Sequence, residues 1–276
     1  MKINKQYGKI STDDIRLFLK FWPQLKDDFQ EALTYLSDNE HDFFNKDTPK
    51  FSFCHLYELP IKQHVSTALS HPLQNNDALL NIFKDIAATD NQIAFLPEMV
   101  TRVSSHFDSM PPPTESERLD FAPYSTIILA SASTMYHALN CVLYHGCFLN
   151  ELIERVRDGN DKSLFDAIRI DPTVIGCKSV IERISKAALL RDKSFFTKLG
   201  AALKGKVAKR EQANYQKMRL VLELLSECKA DALNDDQLHE LFVHTLKLYS
   251  PNEHGGGSTK SLRKFVDTYT RKGSTT

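Results

Sequence analysis

The sequence predicts an all-α, bundle-like protein of many helices in two helical regions. Three observations carry this expectation. Apolar residues recur at i, i+3, i+4 and i+7, capping residues stand just ahead of those runs, and only 10 glycines and 11 prolines serve 276 residues. With 42% hydrophobic content the chain fills a real core, so disorder throughout is excluded.

Thr12, followed by Asp13 and Asp14, reads as an N-cap with acids in the first turn. Ile15, Leu17, Phe18, Leu19, Phe21 and Trp22 supply the apolar side of a short helix that Pro23 interrupts. Leu25, Phe29, Ala32, Leu33 and Leu36 then share one stripe of a second helix. Residues 50–59 alternate aromatic and polar side chains, which fits a short strand or an extended connection. Pro60 suits the first position of a helix over 61–69, and Asn76 caps a segment whose Leu79, Leu80, Phe83, Ile86 and Ala87 share a face. Pro111, Pro112 and Pro113 cannot continue a helix, because proline lacks the backbone donor. They mark a boundary: an acidic helical region over 1–109, a proline-rich linker over 110–120, and a larger helical region over 121–276 with a basic carboxyl-terminal part.

Residues 124–149 contain no Asp, Glu, Lys or Arg, which is long enough for a membrane span. Ser125, Ser131, Tyr136, His137, Asn140 and His145 spread polar groups round the axis, so a buried helix is the better reading and no membrane partner is expected. A helix over 150–157 ends at Gly159, Asn160 or Asp161 caps the next, and Asp171-Pro172 opens another. Helices follow over 178–190, 192–203 and 208–228, with Phe195, Phe196, Leu199 and Leu203 as the inner face of the second. Asn234 and Gln237 form a near capping box ahead of Leu238, Leu241, Phe242 and Leu248. Ser258 or Thr259 caps a last helix, whose inner stripe is Leu262, Phe265, Val266 and Tyr269.

Several motif look-alikes fail on spacing or context. His239 and His244 stand one residue too far apart for His-Glu-x-x-His, and on an α-helix they would be rotated by about 140°. His254 followed by three glycines resembles an esterase oxyanion loop, yet no Gly-x-Ser-x-Gly accompanies it. Gly200 to Val207 matches the phosphate-binding Gly-x4-Gly-Lys but has Val207 where magnesium coordination needs a hydroxyl, so Gly205 reads as a helix cap. His137, Cys141 and His145 fall at i, i+4 and i+8, a row that zinc could use only with a further ligand such as Cys54 or His55. No catalytic residue, metal or cofactor is expected. Five scattered cysteines without Cys-x-x-Cys read as free thiols, and the polar amino terminus predicts a cytoplasmic chain without a secretory signal.

Charge is the strongest functional pointer. Residues 1–175 carry 16 basic against 24 acidic groups, whereas residues 176–276 carry 19 against 11, so a net of −8 faces a net of +8. The basic half suggests phosphate contacts from Lys193, Lys198, Lys204, Lys206, Lys209, Arg210, Lys260, Arg263 and Lys264 to DNA or RNA. The alternative is a protein-interaction subunit whose split charge organises self-association or a larger complex.

Overall fold

The chain enters on a hairpin that its sequence pattern conceals. Strands β1 (Gln6–Tyr7) and β2 (Ile10–Ser11) pair antiparallel across Gly8, whose φ of +56° suits a residue without a side chain. The structure, a computed structural model, describes residues 5–38, 53–74, 76–111, 114–116, 133–205, 213–230, 233–250 and 258–270. Among them this hairpin is the only sheet, and everything else regular is helical. The all-α expectation holds.

Helix α1 (Thr12–Asp38) runs straight through Pro23 as one element of 27 residues, not as two helices. An interior proline loses one backbone bond and crowds the preceding turn. Packing compensates: Ile15 is fully buried, and Phe18 and Trp22 lie against Val142, Leu143 and Leu220. Ser11, not Thr12, opens the helix, since Asp14 Oδ2 accepts from Ser11 N at 2.7 Å and Ser11 Oγ receives the Asp14 N–H at 3.3 Å. Thr12 Oγ1 instead ties back to Lys5. The side-chain stripe expected at Leu25, Phe29, Ala32, Leu33 and Leu36 lies outside the described residues.

Residues 54–58 form a 3-10 turn (Cys54–Glu58) in place of the expected short strand or extended connection. Asn150 holds it from below, donating to Leu56 O at 3.0 Å and Leu59 O at 2.8 Å, so a long-range partner decides the local conformation. Helix α2 (Ile61–Gln74) follows Pro60, and Asn76 caps α3 (Asp77–Ala88) by accepting from Leu79 N at 3.0 Å. On α3 the buried pair is Leu79 and Ile82, while Ala87 is exposed. Helix α4 (Gln92–Asp108) completes this part. Of the proline run, Pro112 and Pro113 lie outside the described residues; Pro111 beside them is exposed.

Residues 133–145 form helix α5, buried through Thr134, Ala138, Cys141, Val142 and Leu143. Gly146, at φ +66°, ends it before α6 (Leu149–Arg157) begins. Among the described residues no helix is long and apolar enough to cross a membrane. Gly159 closes α6, Asn160 caps α7 (Asp161–Ile170), and Asp171 caps the 3-10 turn Pro172–Gly176 by accepting from Thr173 N at 2.9 Å. Helices α8 (Lys178–Leu189) and α9 (Lys193–Lys204) form a hairpin, followed by α10 (Ala213–Glu227), α11 (Asp235–His239) and α12 (Ser258–Thr270).

Two main cores result. The first gathers Cys54 and Tyr57 with residues of α5 to α9, including Leu149, Ile153, Leu164, Ile168, Val180, Phe195 and Leu199. The second gathers Tyr7, Ile10 and Ile15 with Met218, Val221, Leu225, Leu238, Phe242, Leu262 and Val266. Each core therefore draws residues from both sides of the proline run.

Candidate docking face

The α8–α9 hairpin departs most from the expected burial. On α8, Val180 and Ala187 point into the first core, and helical rotation of about 100° per residue turns Ile181 and Leu189 away from it. On α9, Phe195, Leu199 and Ala202 are buried, whereas Phe196 and Leu203, expected on the same inner face, point outward. The reason is geometric: an apolar run of adjacent residues spans more arc than one supporting helix can cover. Exposure reaches 85% at Leu189, 69% at Leu190, 49% at Ile181, 46% at Leu203 and 39% at Phe196. Val100 and Met110 are the other large apolar side chains so exposed among the described residues.

The connection between the two helices holds this arrangement rigidly. Asp192 N donates to Ala187 O at 2.9 Å and Arg191 N to Ala188 O at 3.0 Å, a Schellman closure with Arg191 at φ +54°. Asp192 then caps α9 by accepting from Phe195 N at 3.0 Å. Arg183 fastens the hairpin to α7 through Asp161, at 2.6 and 2.7 Å, and lies over the Phe195 ring at 4.3 Å. Leu189 and Leu190 are thus presented at the tip of a braced turn, not on a frayed end.

The nine expected phosphate contacts separate into three groups. Lys193, Lys198 and Lys204 are exposed on α9, and among the described residues no carboxylate pairs with them. Lys206, Lys209 and Arg210 lie outside the described residues. Lys260 and Lys264 are exposed on α12, but Arg263 beside them is held by Asp235 and by Leu233 O at 2.9 Å. The α12 depression mixes Asp235 and Asp267 with these cations. Since α9 rests on the first core and α12 on the second, the fold does not gather the candidates into one described cluster. Arg219, part of the same basic stretch, is buried and donates to Leu143 O.

The other constellations resolve differently. Residues Glu240–Thr245 form a π-helix, which brings the His239 and His244 rings to 5.1 Å, so the rotation expected of an α-helix does not apply. Among the described residues no group of three or more His, Cys, Asp or Glu could hold a metal ion. Within the row on α5, His145 Nδ1 faces Asp166 at 3.9 Å, while Cys141 is buried in the first core. Among the described residues His137 Nδ1 is buried without a hydrogen-bond partner, and burial lowers the pKa of its ring. Helix packing also brings Glu151 to Glu223 and Glu227, which stand at i and i+4 on α10; burial and the two neighbouring carboxylates push Glu223 up to about 7. Comparison with protein-family models, curated proteins and solved structures finds no match.

Proposed function

We propose that this chain is a protein-interaction subunit that docks an acidic, apolar-faced partner protein on the α8–α9 hairpin. One observation carries the reading: Leu189, Leu190, Phe196 and Leu203 are exposed on a braced hairpin that also exposes Lys186, Arg191, Lys193, Lys198 and Lys204. Large apolar side chains left exposed on a rigid element mark a contact surface, and covering them contributes roughly 25 cal/mol per Å². Unpaired lysines around it steer an acidic partner and reject a basic one.

A second reading, phosphate contact with DNA or RNA, is supported by the same unpaired Lys193, Lys198 and Lys204. It gives no role to the exposed leucines, and Arg263 is already engaged. A photo-crosslinking residue placed at Leu189, with Val100 as the control position, separates the two. The expected product is one partner protein joined through a segment rich in Asp, Glu and apolar residues, lost when Lys193, Lys198 and Lys204 are reversed to Glu. Crosslinking to nucleic acid would transfer the face to the second reading. The purified chain would then bind DNA or RNA with log affinity falling by roughly 0.9 per neutralised phosphate against log salt.

A further inference from the structure

Cysteines dispersed in the sequence meet in the fold. Cys54 opens the first 3-10 turn and Cys177 caps α8, 123 positions apart, yet Cys177 Sγ donates to Cys54 O at 3.3 Å. The 3-10 turns 54–58 and 172–176 that place the two thiols pack together. Both side chains belong to the first core, Cys54 being 5% and Cys177 1% exposed. Tyr57 Oη donates to Asp171 at 2.6 Å between the same turns, so neither thiol sits on a loose segment.

We propose that Cys54 and Cys177 are a redox-active pair that closes to a disulfide when the folded chain meets a small hydroperoxide. The pair is asymmetric. The neighbouring Cys177 thiol lowers the pKa of Cys54, while the Cys54 thiol beside it and burial keep Cys177 protonated, its S–H held by Cys54 O. Cys54 therefore attacks the peroxide oxygen, the O–O bond breaks, and the departing hydroxide takes the Cys54 proton to leave as water. Cys177 Sγ then attacks the sulfur of the Cys54 sulfenic acid. The S–O bond breaks and hydroxide leaves with the Cys177 proton as a second water. Two thiols lose two electrons, and one hydroperoxide is reduced. Because Cys177 is already in contact, resolution outruns further oxidation of Cys54. The new bond ties the turn ahead of α2 to the root of the α8–α9 hairpin.

The test uses the intact chain and hydrogen peroxide, followed by alkylation under denaturing conditions, digestion without reductant and mass spectrometry. The expected product is a linked peptide pair containing Cys54 and Cys177, about 2 Da lighter than the sum of its parts and separated by dithiothreitol. Cys141 and Cys147, the other thiol pair, serve as an internal comparison because Cys141 is 0% exposed. In Cys177→Ser, Cys54 should progress to sulfinic acid instead. If that variant does not fold, the wild-type map still decides. The proposal is overturned if Cys54 and Cys177 remain alkylatable while Cys141 and Cys147 oxidise, or if wild-type Cys54 ends as sulfinic acid without a link to Cys177.

Discussion

Lys229 and Arg191 occupy positions where helices usually end on glycine. Their φ values of +55° and +54° are left-handed, like Gly159 at +86°, and all three close a helix with the same pair of backbone bonds. A side chain there costs roughly 1 kcal/mol, so Lys229→Gly should raise stability by about that much and the melting midpoint by about 2 °C in calorimetry. Gly8 is the opposite case. A Cβ there would stand 2.4 Å from Cys228 O, so Gly8→Ala should cost at least about 2 kcal/mol in urea denaturation by prising the hairpin off α10. Glu223 links the fold to pH. Its carboxyl, raised from an ordinary 4.5 to about 7, keeps a proton in the folded chain that the unfolded chain has lost. Stability should therefore fall as pH rises through that window and stay low above it. Glu223→Gln should flatten the profile and stabilise the chain at pH 8 by about 2 kcal/mol; an unchanged profile would remove Glu223 as its source.

Helix ends were readable in the sequence because a cap and its target lie within three residues. Asn76, Asn160, Asp171 and Asn234 each accept the backbone N–H their position implies, and Gln237 accepts from Asn234 N at 2.9 Å; Asp192, read as the first residue of its helix, is its cap, and Ser11 takes the place expected of Thr12. What could not be read depends on distant partners. Pro23 stays helical because of Val142, Leu143 and Leu220, and the 54–58 turn forms around Asn150. The proposed docking face was half legible: the cations of α9 stood out, but the outward turn of Phe196 and Leu203 depends on how far α7 covers α9. This gives a direct comparison on one helix. Phe195→Ala should cost about 3–5 kcal/mol, whereas Phe196→Ala and Leu203→Ala should each cost under about 1 kcal/mol. Equal losses in chemical denaturation would mean that Phe196 and Leu203 are core residues and that α9 has no docking face.

Across the whole molecule, the charge boundary near residue 175, the proline run and the two cores do not coincide. Lys193, Lys198 and Lys204 gain no carboxylate from the acidic half among the described residues, so the split in charge is not neutralised within these contacts. Packing instead threads the halves together: Cys54 and Tyr57 complete the first core, and Tyr7, Ile10 and Ile15 complete the second. A division into two regions at the prolines is thus a proposal about the covalent chain, and its consequence for folding is testable. A protease site inserted after Met110, which is 50% exposed, should be cut in the native chain because the backbone there bears little packing. The two fragments should nevertheless co-elute in gel filtration and separate only in denaturant. Each would otherwise expose the apolar faces that the other buries, at roughly 25 cal/mol per Å². Added salt should not split them, since the two cores they share are apolar, whereas a charge-driven association would weaken as ionic strength rises. Fragments that elute separately in native buffer, each keeping its helical signal, would show that the halves fold on their own and that the shared cores contribute little.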